Sequence, residues 1–124
     1  CIYCAEKGFD PKKASYLYIL KNDKLSALKV GIGNSNLKNN DRIRVFKASG
    51  WKLYKKWDFE KGIDAWTSEK GVFKILRKEL KIPQHLTKSE IGYGHGHTET
   101  INADLITLSE LEEIVEKVIK GLQK

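Results

Sequence analysis

Apolar and polar positions along the chain fall into segments of distinct period. "SYLYILK" (15–21) is rich in aromatic and branched side chains and runs into the polar "NDK", which predicts a β-strand. "LKVGIG" (28–33) is a second short apolar run, ended by glycine and the polar "NSNLKNN". The connection between them is short and polar, so an antiparallel hairpin is expected. In "NDRIRVFKASG", Asn40 or Asp41 can cap a helix and Gly50 can end it, giving about three turns at most. "WKLYKKWDF" (51–59) alternates with a period of two. Trp51, Leu53, Trp57 and Phe59 are expected on one face of that strand, with Lys52, Tyr54, Lys56 and Asp58 on the other.

From Ile63 to Leu80 the period becomes helical, with Trp66, Phe73, Leu76 and Leu80 sharing a face and Pro83 as the stop. Gly71 lies inside this segment at a cost of about 1 kcal/mol relative to alanine. Residues 81 to 98 read as irregular. "LITL" (105–108) leads into a last helix, for which Ser109 and Glu112 form an S-x-x-E capping box. Leu111, Ile114, Val115, Val118, Ile119 and Leu122 make its core stripe. The order strand, strand, helix, strand, helix, loop, helix predicts an α+β fold: a small three-stranded antiparallel sheet flanked by helices.

Composition narrows the class. The 124 residues suit one domain, and 40% apolar with 31% charged residues is a soluble globular balance. No apolar run approaches the ~20 residues of a membrane span, and no export signal opens the chain. No membrane partner is therefore expected, and the cytoplasm is the default location. A start at Cys1 rather than methionine suggests a piece of a longer protein, with an upstream domain as partner.

Charge adds a second expectation. The formal net charge is +7, and the window 38–56 holds Lys38, Arg42, Arg44, Lys47, Lys52, Lys55 and Lys56 against Asp41 alone, which is +6. Clustered cations attract a polyanion by counterion release, and Phe46, Trp51 and Tyr54 are interleaved as they are where bases or sugars pack. The plain alternative is a solvated face on a lysine-rich protein.

Two short patterns carry candidate chemistry. "CIYC" places Cys1 and Cys4 at the C-x2-C spacing of half a tetrahedral zinc site. Its other ligands come from residues upstream, the first expectation, or from His95 and His97. Those histidines belong to "GYGHGHTET" (92–100), where Gly92, Gly94 and Gly96 give the loop freedom to approach a phosphate backbone.

Taken together, "LYILKN" (17–22), "LKVGIG" (28–33), a polar loop and "RIR" resemble the GIY-YIG nuclease family, and most closely its T5orf172-like branch. The likeness runs from about Ser15 to the last helix. It divides the chain into a partial zinc-knuckle-like or linker segment (1–14) and a nuclease-like domain (15–124). "GIY" itself is absent, with Leu17 at its middle position, and Lys29 stands where many members have tyrosine. The resemblance implies a GIY-YIG-like fold and a metal-dependent endonuclease acting on DNA, in a restriction or mobile-element setting.

It also implies roles. Glu99 would hold Mg2+ or Mn2+, and Tyr18 would act as general base or position the attacking water. An ordinary phenol has a pKa near ~10, so it needs cations nearby, which Lys29 and Arg42 would supply. Arg42 would grip the scissile phosphate through its planar fork. Tyr16, on the same strand face as Tyr18, Arg44, His95 and His97 are auxiliary candidates. Lys38, Lys47, Lys52, Lys55 and Lys56 are expected to track the nucleic-acid backbone.

Two positions depart from the family: Phe46 and Phe73 stand where relatives often carry histidine or tyrosine, and histidine, respectively. They support a second reading, a nucleic-acid-binding module without catalysis. A third is a zinc-dependent hydrolase built on Cys1, Cys4, His95 and His97.

Overall fold

A computed structural model of the chain describes residues 12–35, 42–48, 50–86 and 99–122, with the backbone alone at 42, 44 and 45. Strands β1 (Ser15–Asn22) and β2 (Ala27–Asn34) form the expected hairpin. The turn is held by Asn22 Oδ1, which accepts from the Leu25 amide at 3.1 Å. Helix α1 (Arg42–Ala48) follows, then β3 (Lys52–Phe59), α2 (Gly62–Lys74), β4 (Thr100–Asn102) and α3 (Leu108–Leu122). Gly50 ends α1 as expected, at φ +92°, with the Trp51 amide returning to the Phe46 carbonyl at 3.1 Å.

The fold is α+β, and the sheet has four antiparallel strands rather than three, in the order β3-β1-β2-β4. The additional strand is only three residues long and pairs with Ala27–Lys29 of β2. Such a short run has no period to read, so its partner rather than its own pattern makes it a strand.

One sheet face is the main core. Leu17, Ile19, Leu28, Val30 and Ile32 are buried there against Ala65, Val72 and Leu76 of the α2 segment and Leu111 and Val115 of α3. Alternate residues of the same strands point to the second face, where Tyr16, Tyr18, Leu20 and Ala27 meet Ile43, Phe46, Trp51 and Leu86. Removing this much apolar surface from water contributes about 25 cal/mol per Å2, which drives both layers together.

Three expectations about elements change. Trp51, Leu53, Trp57 and Phe59 do not share a face of β3. The pairing with β1 skips a residue, because Ile19 faces Lys55 while Leu20 faces Leu53, so Tyr54 is the extra residue of a bulge. Each added residue inverts the alternation. Trp57 and Phe59 therefore pack on the main core, and Trp51 joins the second face.

The helix expected over 63–80 runs as α2 to Lys74 and continues as a π-turn over Ile75–Glu79. It closes with Lys81 at φ +56° and the Ile82 amide bonded to the Leu76 carbonyl at 2.8 Å. Gly71 within α2 has a packing reason, since a Cβ there would lie 2.9 Å from Val118 Cγ1 of α3.

The capping box of α3 is Thr107–Glu110, not Ser109–Glu112. The Thr107 hydroxyl accepts from the Glu110 amide at 3.1 Å, and Glu110 Oε1 accepts from the Thr107 amide at 3.0 Å. Glu112 is taken instead by β3, accepting from Tyr54 Oη at 2.7 Å and from Lys55 Nζ at 2.7 Å. Among the described residues no helix is long and apolar enough to cross a membrane.

Candidate active site

The hairpin register places Tyr18 opposite Gly31 and Tyr16 opposite Gly33. Each phenol lies across the glycine that faces it. A Cβ on Gly31 would come within 2.4 Å of the Tyr18 hydroxyl, and one on Gly33 within 2.7 Å of the Tyr16 hydroxyl. The glycines of "VGIG" therefore make room for two rings on this face, whose centroids are 5.8 Å apart. Lys29 stands two residues before Gly31, on the same side of β2.

Strand β4 brings the third group. Thr100 pairs with Lys29, so the preceding Glu99 arrives beside the lysine from 70 residues away. Lys29 Nζ donates to Glu99 Oε1 at 2.9 Å and to Tyr18 Oη at 3.2 Å. Tyr18 is fully buried, Lys29 is 1% exposed and Glu99 is 9% exposed, so solvent reaches the group from the carboxylate end. Burial by itself pushes the Lys29 ammonium down. The Glu99 carboxylate and the Tyr18 hydroxyl outweigh that effect and hold it above its ordinary value, so Lys29 stays protonated.

Phe46, a departure from the pattern that the sequence resembles, closes the site from α1. Lys29 Nζ lies 4.6 Å from its ring centroid, and Phe46 meets Trp51 edge-on at 6.1 Å. An aromatic face satisfies an ammonium by attraction to the ring quadrupole where a hydrogen-bond acceptor is lacking. The sequence signal was available: Phe46 is one helical turn after Arg42, on the element already assigned to the site. Phe73, the other departure, packs on the main core across the sheet, with the Arg77 guanidinium 5.1 Å from its ring. It has no part in the Tyr18–Lys29–Glu99 group.

Arg77 is the residue that sequence reasoning missed. Its guanidinium donates to the Ile82 carbonyl at 3.1 Å and to the Thr100 carbonyl at 2.9 Å. The Thr100 hydroxyl in turn accepts from the Leu86 amide at 2.9 Å. These bonds tie the three-residue β4, and Glu99 with it, to the end of the π-turn. No motif marks such a contact, because it uses backbone carbonyls and carries no residue-type signal.

The remaining candidates are placed as follows. Tyr16 is buried beside Tyr18, with Lys56 Nζ 5.2 Å from its ring centroid. Lys56 faces Tyr18 in register, and Lys47 is exposed on α1. Lys52 is exposed but pairs with Lys21, which puts it on the other side of the bulge. Lys55 leaves the basic group altogether, since it bonds Glu112 at 2.7 Å and Glu116 at 2.8 Å on α3. Arg42 and Arg44 stand in the first turn of α1, described in their backbone alone. Cys1, Cys4, Lys38, His95 and His97, with Gly92, Gly94 and Gly96, lie outside the described residues.

A metal ion at this site would have one acidic ligand among the described residues, Glu99. Among the described residues no group of three or more His, Cys, Asp or Glu side chains gathers to hold one. Mg2+ keeps several waters and takes one or two carboxylates together with substrate phosphates, so a single carboxylate at the solvent-facing end, as Glu99 is, meets its minimum. A protein-only zinc cage needs more.

Comparison with protein-family models, with curated proteins and with solved structures finds no match. The functional reading therefore rests on the residues themselves.

Proposed function

We propose that this chain is a metal-dependent endonuclease domain of the GIY-YIG type that hydrolyses DNA phosphodiester bonds as one module of a larger DNA-acting protein. One observation carries the reading: Tyr18, Lys29 and Glu99, assigned to one site from short motifs, form a continuous hydrogen-bonded chain. A packed core alone does not call for a buried lysine bridging a phenol and a carboxylate, because burying the charge is costly.

The roles follow from the chemistry of phosphodiester hydrolysis. Tyr18 takes the proton of the attacking water. Lys29 holds the Tyr18 oxygen in place and favours its phenolate by charge, from a position where little water screens it. Arg42 binds the non-bridging oxygens of the scissile phosphate. Glu99 would hold a divalent ion, which would supply positive charge to the phosphoryl and leaving oxygens. Lys47 and Lys56 contact the DNA backbone and add affinity without sequence information.

The test is nicking of supercoiled plasmid by the purified chain in Mg2+, in EDTA, and by Glu99→Gln and Tyr18→Phe in Mg2+. Glutamine is preferred to alanine because it still accepts from Lys29. Removing the acceptor would leave a buried charge unpaired, at about 3–5 kcal/mol. Mg2+-dependent nicking that is lost in both variants is the expected result.

A second reading is supported by the burial of Tyr18 and Lys29, which keeps both from a substrate in the present arrangement. On that reading the chain binds nucleic acid without cutting it. Salt-sensitive plasmid retardation with no nicking under any condition would decide for it.

A further inference from the structure

Glu99 has two calls on one carboxylate. It is the assigned ligand of a divalent ion, and its Oε1 already accepts from the Lys29 ammonium at 2.9 Å. Lys29 has little freedom to withdraw. Its side chain is 1% exposed, its Nζ also reaches Tyr18 Oη at 3.2 Å, and the Phe46 and Tyr18 ring centroids lie 4.6 Å and 5.1 Å away. Behind it, a single carbon added to Gly31 would already approach Nζ to 2.8 Å.

Any cation that joins Glu99 therefore has a fixed positive neighbour, in a place where water screens poorly. Formal charges show the consequence. Glu99 and Lys29 cancel, so a divalent ion alone leaves the group at +2. A phosphodiester arriving with it brings the group to +1. The anion is needed to offset what Lys29 opposes.

We propose that Lys29 occupies the cation position on Glu99 in the free protein, so that a divalent metal binds there tightly only in company with a phosphodiester. The metal at Glu99 and the nature of that second ligand rest on the nuclease reading; the ion pair that opposes the metal does not. Metal and nucleic acid are then coupled ligands, and by linkage each raises the affinity of the other by the same factor. An ammonium that stands in for the metal also keeps the carboxylate neutralised while no substrate is present.

The probe is Mn2+, followed by the electron paramagnetic resonance signal of the free ion. Titrations use the chain alone and the chain with a DNA duplex made uncleavable by phosphorothioate substitution. The same titrations of Glu99→Gln are subtracted to remove ions held by the DNA itself. Wild type is expected to bind Mn2+ through Glu99 about tenfold or more tightly with DNA than without, within the usual range of coupling between sites. Without DNA, Lys29→Met is expected to bind Mn2+ tighter than wild type by a similar factor. Lys29→Gln, which keeps a donor to Glu99 but not the charge, guards against a methionine variant that does not fold and is expected to behave alike.

If neither folded variant binds Mn2+ more tightly than wild type, the inference is overturned. It is also overturned if wild type nicks plasmid yet binds Mn2+ equally well with and without DNA. Tightening in the Lys29 variants, with no effect of DNA and no nicking, supports the competition and removes the nuclease reading instead.

Discussion

Replacing Gly31 with alanine puts a methyl group where the site has no space. Its Cβ would lie 2.4 Å from Tyr18 Oη, 2.6 Å from Tyr18 Cζ and 2.8 Å from Lys29 Nζ. Contacts this short force a neighbour to move, and both neighbours are buried, Tyr18 at 0% exposure and Lys29 at 1%. Overpacking a dense interior costs roughly 1–3 kcal/mol. Displacing Tyr18 also breaks a hydrogen bond to a charged donor, worth about 1.5–3 kcal/mol. Against this, alanine is better than glycine within a strand by roughly 0.5–1 kcal/mol. The balance is a loss of about 2–5 kcal/mol, which for a domain of this length lowers the melting temperature by roughly 10–20 °C.

The assay is thermal denaturation of Gly31→Ala followed by circular dichroism, beside Tyr18→Leu and the double variant. Leucine withdraws the phenol from the space above residue 31, so the double variant should be less destabilised than the sum of the singles by about 1–3 kcal/mol. A Gly31→Ala protein that melts within about 2 °C of wild type would refute the close approach of Tyr18 to β2, and with it the geometry of the site.

Arg77→Met removes the guanidinium bonds to Ile82 and Thr100, which link the end of the π-turn to β4. The expected results are a loss of about 1–3 kcal/mol in denaturant unfolding and faster amide hydrogen exchange in Thr100–Asn102 than in β1. Arg77→Lys should recover only part, because one ammonium cannot copy the planar fork. For acid stability, Glu112 is held below its ordinary value by its hydrogen bonds from Lys55 and Tyr54. A carboxylate with a depressed folded value contributes stability that is in place above its ordinary value of 4.5 and is lost as pH falls through the folded value. Glu112→Gln should therefore flatten the acid limb of stability against pH and leave its neutral region nearly level.

How much of this was legible depended on whether local sequence or a distant partner sets each feature. The hairpin and the shared face of Tyr16 and Tyr18 follow from period two within one short stretch, whereas the side on which Lys29 joins them is set by the register of β1 on β2. Gly50 could be read because a left-handed residue after a helix has a strong residue-type signal. Strand β4 could not be read: three residues have no period, and its hydrogen bonds depend on Arg77 and on β2. The bulge at Tyr54 was equally hidden: Lys55 interrupts the apolar positions 51, 53, 57 and 59, but an interruption in residue type does not say that β1 will skip a partner. The capping box falls two residues earlier than expected, because "TLSELEE" holds two overlapping Ser/Thr-x-x-Glu spacings and Glu112 is taken by Tyr54 and Lys55 of β3. Phe46, expected only as a departure from a histidine or tyrosine position, packs its ring over the Lys29 ammonium, a contact that no local pattern shows.

The distance along the chain between Lys29 and Glu99 has a consequence in time. Tyr18 and Lys29 are 11 residues apart and join within a hairpin, whereas Glu99 is 70 residues beyond Lys29. Hairpins close in about 1–10 μs, while a contact of such long range waits on the ordering of most of the chain between. A nascent chain that has not yet emerged to Glu99 holds Tyr18 and Lys29 without their carboxylate partner. A chain that has lost β4 by local opening returns to the same state. The complete Tyr18–Lys29–Glu99 group thus exists only in the finished molecule: it is assembled last, and opening of β4 alone dismantles it.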